Sequence, residues 1–239
     1  MSKLRVTIWN EFYHEKINED VKALYPDGIH EHLKQVLQAK DLIITTAWLE
    51  KDEAHGLSQQ VLEETDVLLW WGHCKHDDVR DDIAERVVAR VQQGMGLIAL
   101  HSAHMAKPFM RLMGTPCTLR WRCANERCIV WNVAPNHPIT QGVPLYFELE
   151  REEMYGEVFA IPQPEELVFV SWFAGGNVFR GGCTFTRGVG RIFYFHPGHE
   201  DCPSYHNEHV IRVIANAIRW AAPSVPRDLK PNEWMETLV

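Results

Sequence analysis

The sequence lacks an excess of positive charge and any long apolar run. Its 239 residues include 24 lysines and arginines against 32 aspartates and glutamates, which gives a formal net charge of -8 at pH 7. A protein that binds nucleic acids needs a basic face to neutralise phosphates, so we expect no nucleic-acid partner. No apolar run approaches the roughly 18 residues of a membrane-spanning helix, so we expect no membrane association either.

Paired cysteines and an export signal are also missing. The six cysteines form no C-x-x-C pair, and the N-terminal residues lead directly into a strand-like segment. Cysteines in such a chain are expected to be reduced thiols, and we predict a cytoplasmic location. Hydrophobic residues make up 46% of the chain, which is enough for a packed core and excludes global disorder.

The first hundred residues alternate between strand-like and helix-like segments. Apolar runs predict strands at 4–9, 42–46, 67–71 and 96–100, and apolar residues at helical spacing predict helices at 28–39, 57–64 and 79–93. Continuously apolar strands are typical of a parallel sheet that helices cover on both faces. We therefore predict an α/β fold with a flavodoxin-like, doubly wound, mostly parallel sheet.

The second half of the chain is richer in strands. Strand-like segments at 129–133, 145–149, 167–172, 178–186 and 191–196 are separated by proline and glycine, and a helix is predicted at 210–221. Residues 1–222 are therefore predicted to form a single α/β domain with an extra β-rich segment. Residues 223–239 contain three prolines and no periodicity. We predict that they form a tail along the surface or onto a neighbouring subunit, and we expect a homo-oligomer.

Histidine is frequent, with 13 copies, and it is concentrated where the predicted strands end. In an open parallel sheet, ligands bind beyond the carboxyl ends of the strands. The sequence therefore predicts one shared site at this edge of the sheet. The polar residues that follow four of these strand ends include Asn10, Glu11, His73, His76, His101, Ser102, His104, His196, His199 and Glu200.

The spacing His-x-x-His occurs four times, at 73/76, 101/104, 196/199 and 206/209. Residues three apart share one face of a helix, so such a pair can bring two ring nitrogens to one metal ion. Imidazole and carboxylate ligands favour zinc. We therefore expect a divalent metal, zinc by preference, with His73, His76 and His104 as candidate ligands. The alternative is that these histidines lie solvated in loops or at helix N-termini.

The segment GLIALHSAH, residues 96–104, predicts a sharp turn from strand to helix. A side chain presented on such an elbow needs small residues two positions before and after it. Ala99 and Ala103 flank His101 in this way, whereas bulky residues flank Ser102. We therefore predict His101 on the elbow, in a strained backbone conformation, with no serine or cysteine nucleophile. The alternative is an ordinary hydrogen-bonded histidine at a strand end.

Several segments also carry a family resemblance. They are GLIALHSAH (96–104), NHPIT-x-G (136–142), EMY (153–155), G-x-GRIFYF (188–195) and PGH (197–199). Together they resemble the trehalose-utilization (ThuA-like) family of the class I glutamine amidotransferase-like superfamily. The resemblance implies a site at the elbow of a flavodoxin-like sheet, and a role in using trehalose or related disaccharides or their 3-keto forms. Amidotransferases of this superfamily carry a cysteine where this chain has His101, so amidase activity is not expected.

Our leading hypothesis is an enzyme of sugar metabolism, either an isomerase, a lyase or a hydrolase, and not a cysteine-dependent amidotransferase. The alternative is a non-catalytic sugar- or metal-binding regulator on the same scaffold. His101 and His199 are the predicted catalytic groups, as proton carriers or metal ligands. Glu153 or Glu200 is the predicted carboxylate partner. The residues predicted to bind a sugar are Asn10, Glu11, Ser102, Tyr155 and Trp172. Trp70, Trp71 and Trp121 are further candidates for stacking on a sugar ring, although the first two are more typical of the core.

Overall fold

The structure, a computed structural model, describes residues 3–224, so most of the predicted tail lies outside the described residues. The strands are β1 (Leu4–Asn10), β2 (Leu42–Trp48), β3 (Val67–Trp71), β4 (Gly96–Leu100), β5 (Arg120–Asn132), β6 (Tyr146–Gly156), β7 (Glu166–Phe173), β8 (Val178–Arg187) and β9 (Gly190–Phe195). The α-helices are α1 (His14–Ile17), α2 (Glu19–Leu24), α3 (Ile29–Val36), α4 (Gln59–Glu64), α5 (Asp81–Gln92), α6 (Lys107–Met113) and α7 (Glu208–Ala221).

These strands form one nine-stranded sheet in the order β2-β1-β3-β4-β9-β8-β7-β5-β6. The first five strands in this order are parallel, which is the flavodoxin-like arrangement predicted from the apolar runs. The other four strands continue the sheet in antiparallel pairs and correspond to the predicted β-rich segment. The predicted fold class is therefore confirmed.

The centre of the parallel half is fully buried. Every residue of β3 and β4 is inaccessible to solvent, which explains why these strands are continuously apolar. Trp70 stacks on Trp9 with ring centroids 4.0 Å apart, so it belongs to the core. Helix α3 packs on β1 and β2, and α7 packs on β4 and β9. This packing fixes the carboxyl ends of β3, β4 and β9 relative to one another.

The antiparallel half differs from the prediction in the length of β5 and β6. The apolar pattern indicated 129–133 and 145–149, but the hairpin extends to Arg120 and Gly156, which pair with each other. The first part of β5 is mostly exposed and has no apolar alternation, so the pattern could not reveal it. The far half of this hairpin carries Glu153 and Tyr155 to the carboxyl edge of the parallel strands, where both contact His101.

Three short helices, α1, α2 and α6, were also not predicted. Within residues 3–224, no helix combines the length and the apolar composition needed to cross a bilayer.

Candidate metal centre

His101 occupies the elbow that follows β4. Its φ of 52° lies in the left-handed region, which is strained for a residue with a Cβ, as the alanine flanks predicted. Its Nδ1 lies 3.0 Å from the carbonyl oxygen of His196 and must donate to it, because a carbonyl only accepts. The other nitrogen, Nε2, lies 3.1 Å from Oε2 of Glu153. Unless Nε2 carries a second proton, two electron pairs face each other here, and a cation between them would relieve the repulsion.

Two further histidines are held through the same ring nitrogen. Nδ1 of His199, in the loop after β9, lies 2.7 Å from Oδ1 of Asp201. Nδ1 of His73, in the loop after β3, lies 3.1 Å from Oε1 of Glu200. A carboxylate or carbonyl that accepts from one ring nitrogen orients the ring and leaves the other nitrogen free to bind a metal. In all three histidines, this free nitrogen is Nε2.

Four side chains converge at this point. One nitrogen or oxygen atom from each of His73, His101, Glu153 and His199 lies within 4.8 Å of the others. Three imidazoles and one carboxylate are ligands that zinc accepts. Oε2 of Glu153 is buried without a hydrogen-bond partner, and so is Oε2 of the neighbouring Glu200. Buried carboxylate oxygens without partners are costly, so the residues present fit a bound cation.

The charges at the cluster also suit a cation. Burial raises the pKa of Glu153, but the imidazole of His101 beside its Oε2 and the charges of His199 and His73 outweigh it and bring the pKa to about 2. Burial likewise raises the pKa of Glu200, and His73 and His199 lower it to about 2. Burial lowers the pKa of His199, but the hydrogen bond to Asp201 and the nearby carboxylates raise it to about 9. Both glutamates are therefore ionised at neutral pH, which favours a positively charged occupant, whereas His199 is protonated without a metal, so a bound cation would have to displace that proton.

A cavity of about 450 Å³ opens beside these four residues. This volume is within the range of small-molecule sites. Trp121 stands at the cavity with 66% of its surface exposed. In the part of the chain that the structure describes, no lysine or arginine lines the cavity. Besides three of the cluster residues, the lining consists of Ser102, His104, Met105, Thr118, Leu119, Trp121, Cys123 and Tyr155.

The candidate sugar-binding residues at the end of β1 have other contacts. Asn10 is fully buried, and its amide nitrogen contacts Oε1 of Glu15 and Nδ1 of His30. The carboxylate of Glu11 accepts hydrogen bonds from the backbone N–H groups of residues 73–75. Neither residue lines the cavity. Glu11 therefore binds the backbone of the loop that carries His73 and does not face the cavity.

The other three candidates separate into two groups. Ser102 and Tyr155 both line the cavity, and their hydroxyl oxygens are 2.5 Å apart. Trp172 lies on β7 beneath the guanidinium of Arg127 and is not in the cavity lining. The tryptophan that the structure places at the cavity is Trp121, on the part of β5 that the apolar pattern did not reveal.

The His-x-x-His pairs do not chelate as helical pairs. Each of the pairs 73/76, 101/104 and 196/199 contributes one histidine to the cluster and directs the other elsewhere, so His76 and His104 are not in the group of four. His104 contacts the carbonyl of Cys117, and burial lowers its pKa to about 3. His76 is half-buried, and its buried Nε2 has no hydrogen-bond partner. The reason is local structure, because the pairs 73/76 and 196/199 lie in loops and the pair 101/104 lies on a 3₁₀ turn, so none has α-helical geometry.

Sequence reasoning missed two carboxylates that organise the site, Glu152 and Asp201. Asp201 accepts from His199, as described above. Glu152 and its neighbour in sequence, Glu153, are both buried. Every residue from 152 to 156 is buried, so both faces of this end of β6 are covered, and the pairing with β5 shifts register at Glu126–Glu152. A run of charged residues gives no sign of such an irregularity.

Comparison with known proteins identifies the family of this chain. The sequence model of the ThuA family, described as trehalose utilisation, matches residues 5–221. The chain belongs to the ThuA family. A search among curated proteins finds no significant match.

Solved structures with the same fold include other members of this group. A putative ThuA-like protein from Parabacteroides merdae is 15% identical, with a TM-score of 0.66 over 94% of this chain and 93% of that one. A cytoplasmic protein from Salmonella typhimurium is 13% identical, with a TM-score of 0.59 over 92% of this chain and 100% of that one. A putative GMP synthase protein from Thermoplasma acidophilum is 14% identical, with a TM-score of 0.53 over 92% and 94%. At these identities the similarity establishes the amidotransferase-like fold alone.

The elbow of this chain carries His101 and no cysteine. Among the residues that line the cavity or form the cluster, Cys123 is the one thiol, and it lies on β5. Cys74 is adjacent to His73, but burial and the charge of Glu11 raise its pKa to about 12. A thiol with this pKa is protonated at neutral pH and is a poor nucleophile.

Proposed function

We propose that this ThuA-family protein is an enzyme that acts on a sugar at a divalent metal ion, zinc by preference. His73, His101, Glu153 and His199 would hold the metal. The observation that carries the proposal is the convergence of these four side chains within 4.8 Å, together with the Nδ1 partners that leave three Nε2 atoms free. A catalytic zinc ion keeps a coordination position open, so the proposal requires that the ion take a further ligand from the adjoining cavity or that one of the four side chains give way to it.

The lining of the cavity supports an uncharged, polyhydroxylated substrate. The absence of lysine and arginine from the described lining disfavours phosphates and carboxylates, which need cationic partners. The exposed Trp121 offers an aromatic face for the apolar side of a sugar ring. Hydroxyl groups from Ser102, Thr118 and Tyr155 are available for hydrogen bonds. The family's link to trehalose utilisation makes trehalose, related disaccharides and their 3-keto forms the first substrates to test.

A bound metal would polarise a carbonyl or lower the pKa of a water molecule. The chain's own contribution is hydrogen bonding and orientation. Burial raises the pKa of Tyr155 well above its usual value, so its phenol keeps its proton. Its hydroxyl lies 2.5 Å from Ser102 and 3.3 Å from Nε2 of His101, at the junction of the cavity and the cluster. This Tyr155–Ser102 pair can donate a hydrogen bond to a substrate oxygen and so orient the substrate at the metal. Glu200 and Asp201 keep two of the imidazoles oriented.

The test is a metal assay combined with turnover. The protein is purified without added metal, its metal content is measured by mass spectrometry, and trehalose, other disaccharides and their 3-keto forms are offered with and without a chelator. We expect about one divalent metal per chain and turnover that the chelator abolishes and zinc restores. Metal-free protein that cannot bind added zinc would overturn the proposed centre. Bound metal with no effect on any of these sugars, and no binding of them, would favour the regulator hypothesis for another ligand.

The cytoplasmic location and the homo-oligomer remain part of this proposal. The structurally similar Salmonella typhimurium protein is described as cytoplasmic, which supports the location. Light scattering of the purified full-length chain tests the oligomer, and a mass near 27.7 kDa would contradict it.

A further inference from the structure

We propose that Glu152 is a positioning residue that sets the separation between Glu153 and His199. The inference rests on the proposed metal centre, since these two side chains are among its four ligands. Glu152 itself does not reach the cavity and is not a candidate ligand, because it is absent from both the lining and the four-residue group. Its contribution would be made through the backbone that carries the two ligands.

The carboxylate of Glu152 joins two separate segments. Its Oε1 accepts from the backbone N–H of Glu153 at 3.0 Å and from that of His199 at 3.1 Å. Its Oε2 accepts from the N–H of Gly198 at 2.8 Å and from the hydroxyl of Ser204 at 2.6 Å. One oxygen therefore bonds to the backbone of both ligands, and the other secures the loop that follows β9.

The four donors around Glu152 require a side chain with two acceptor oxygens. Glu152 is 0% exposed, and it forms no ion pair with any residue between 3 and 224. Burying a carboxylate is costly unless donors surround it, and here four donors do so. Glutamine would keep the shape but provide one acceptor oxygen, and its NH₂ group would face donors. The position therefore requires a carboxylate rather than an isosteric amide.

Two other hydrogen bonds join the same segments, from His196 to the carbonyl of Glu153 at 3.0 Å and from Arg151 to the carbonyl of Asp201 at 2.6 Å, but neither reaches the backbone of His199. Glu153 lies on β6, in the antiparallel half, while His199 lies in a loop that begins in the parallel half. A metal site tolerates displacements of only about 0.5 Å before its geometry is lost. Losing the bridge at Glu152 would release the backbone of both ligands from their common acceptor, and the metal would lose affinity even though all four ligands remain present.

The test uses Glu152→Gln, with Glu150→Gln as the matched control on the exposed side of the same strand. Zinc affinity is measured by competition with a chelator, and the coordination geometry is read from the visible spectrum of the Co²⁺-loaded chain. We expect zinc to bind about 10–100-fold more weakly to Glu152→Gln, the usual loss for an outer-shell partner, with an altered Co²⁺ spectrum. Glu150→Gln should match the native chain in both measurements. Native zinc affinity and spectrum in folded Glu152→Gln would overturn the proposal.

Hydrogen exchange of the metal-free chain separates this proposal from the proposed function. If the native chain binds no zinc, the metal centre fails, and Glu152 is then judged by the backbone N–H groups of Gly198 and His199. They should exchange at least tenfold faster in Glu152→Gln than in Glu150→Gln, and equal rates would overturn the positioning role. If Glu152→Gln does not fold, Ser204→Ala replaces it. This variant removes one of the four bonds and should raise the same exchange rates severalfold, and unchanged rates would again overturn the role.

Discussion

Substituting Gly198 by alanine should be among the most damaging single-methyl changes in this protein. The residue has a φ of 132°, which is accessible to glycine and strained for any other residue. A Cβ at this position would overlap the hydroxyl oxygen and the adjacent ring carbon of Tyr205, a completely buried side chain. Neither the buried ring of Tyr205 nor the backbone of Gly198 can move away easily. The N–H of Gly198 donates to Glu152, and its carbonyl accepts from the indole of Trp71 at 2.9 Å.

The size of the effect follows from two costs. Overpacking a rigid core costs about 1–3 kcal/mol. A residue forced into this backbone region costs a further 1–3 kcal/mol or so. The sum is roughly 2–6 kcal/mol, and since a chain of this length loses about 2–4 °C of Tm per kcal/mol, Tm should fall by at least about 4 °C. The loop that carries His199 should also shift, so zinc affinity should decrease together with stability.

Gly114→Ala is the matched control. Gly114 also has a positive φ, 69°, but no atom lies within 4 Å of the Cβ that alanine would add. This variant should therefore lose only about 1 kcal/mol, from backbone strain alone, and should bind zinc normally. Urea unfolding and thermal melts of both variants make the comparison. If Gly198→Ala proves no less stable than Gly114→Ala, the inferred contact with Tyr205 and the pinned loop are wrong.

Four other substitutions or treatments test separate parts of the reasoning. His199→Ala should reduce turnover of the active sugar at least about a hundredfold, the lower end of general acid–base or metal-ligand losses, and activity within tenfold of native would contradict the shared site. Burial lowers the pKa of His30 to about 4, so the unfolded chain takes up its proton first as pH falls. Stability should therefore decrease by roughly 3 kcal/mol between pH 6.5 and 4 on account of this residue, and His30→Asn should flatten that part of the urea-unfolding profile. Alkylating agents should react slowly with Cys74, and mapped modification there that abolishes activity without unfolding would show that thiol chemistry matters. Trp121→Ala should raise KM at least severalfold with little change in kcat, because it removes a stacking surface remote from the reacting atoms, and an unchanged KM would remove this residue from the sugar site.

The parallel half of the sheet was predictable because its central strands are uniformly apolar. Strands such as β3 and β4 are buried on both faces, so every residue is apolar and the run itself marks the strand. The elbow was predictable because a turn at positive φ restricts its neighbours to small residues, and alanines flank His101 on both sides. The carboxyl edge of such a sheet then collects the residues that follow each strand, which is why His73, His101 and His199 were all among the candidates.

The remainder of the site depends on contacts that leave no local pattern. The far half of the β5–β6 hairpin is held by strand pairing and by its docking over the parallel strands, so its sequence did not need to alternate. No local pattern therefore distinguishes Trp121 from Trp172. Glu152 and Asp201 bond to groups whose position is determined only by the fold. The His-x-x-His spacing misled because it was interpreted with helical geometry, whereas loops and a short 3₁₀ turn carry most of these residues.

The cluster takes its residues from both halves of the sheet, and this affects the order of events during folding. The β5–β6 hairpin and the strands β1 to β4 are each built from nearby stretches of chain, but they meet at the elbow, where His101 contacts Tyr155 at a sequence separation of 54 residues. Contacts of this separation form late, since the loop between them must first be closed. His199 is supplied later still in the sequence. A growing chain on the ribosome therefore has no complete set of ligands until nearly all of the domain has emerged, and uptake of the metal would mark the end of folding rather than initiate it.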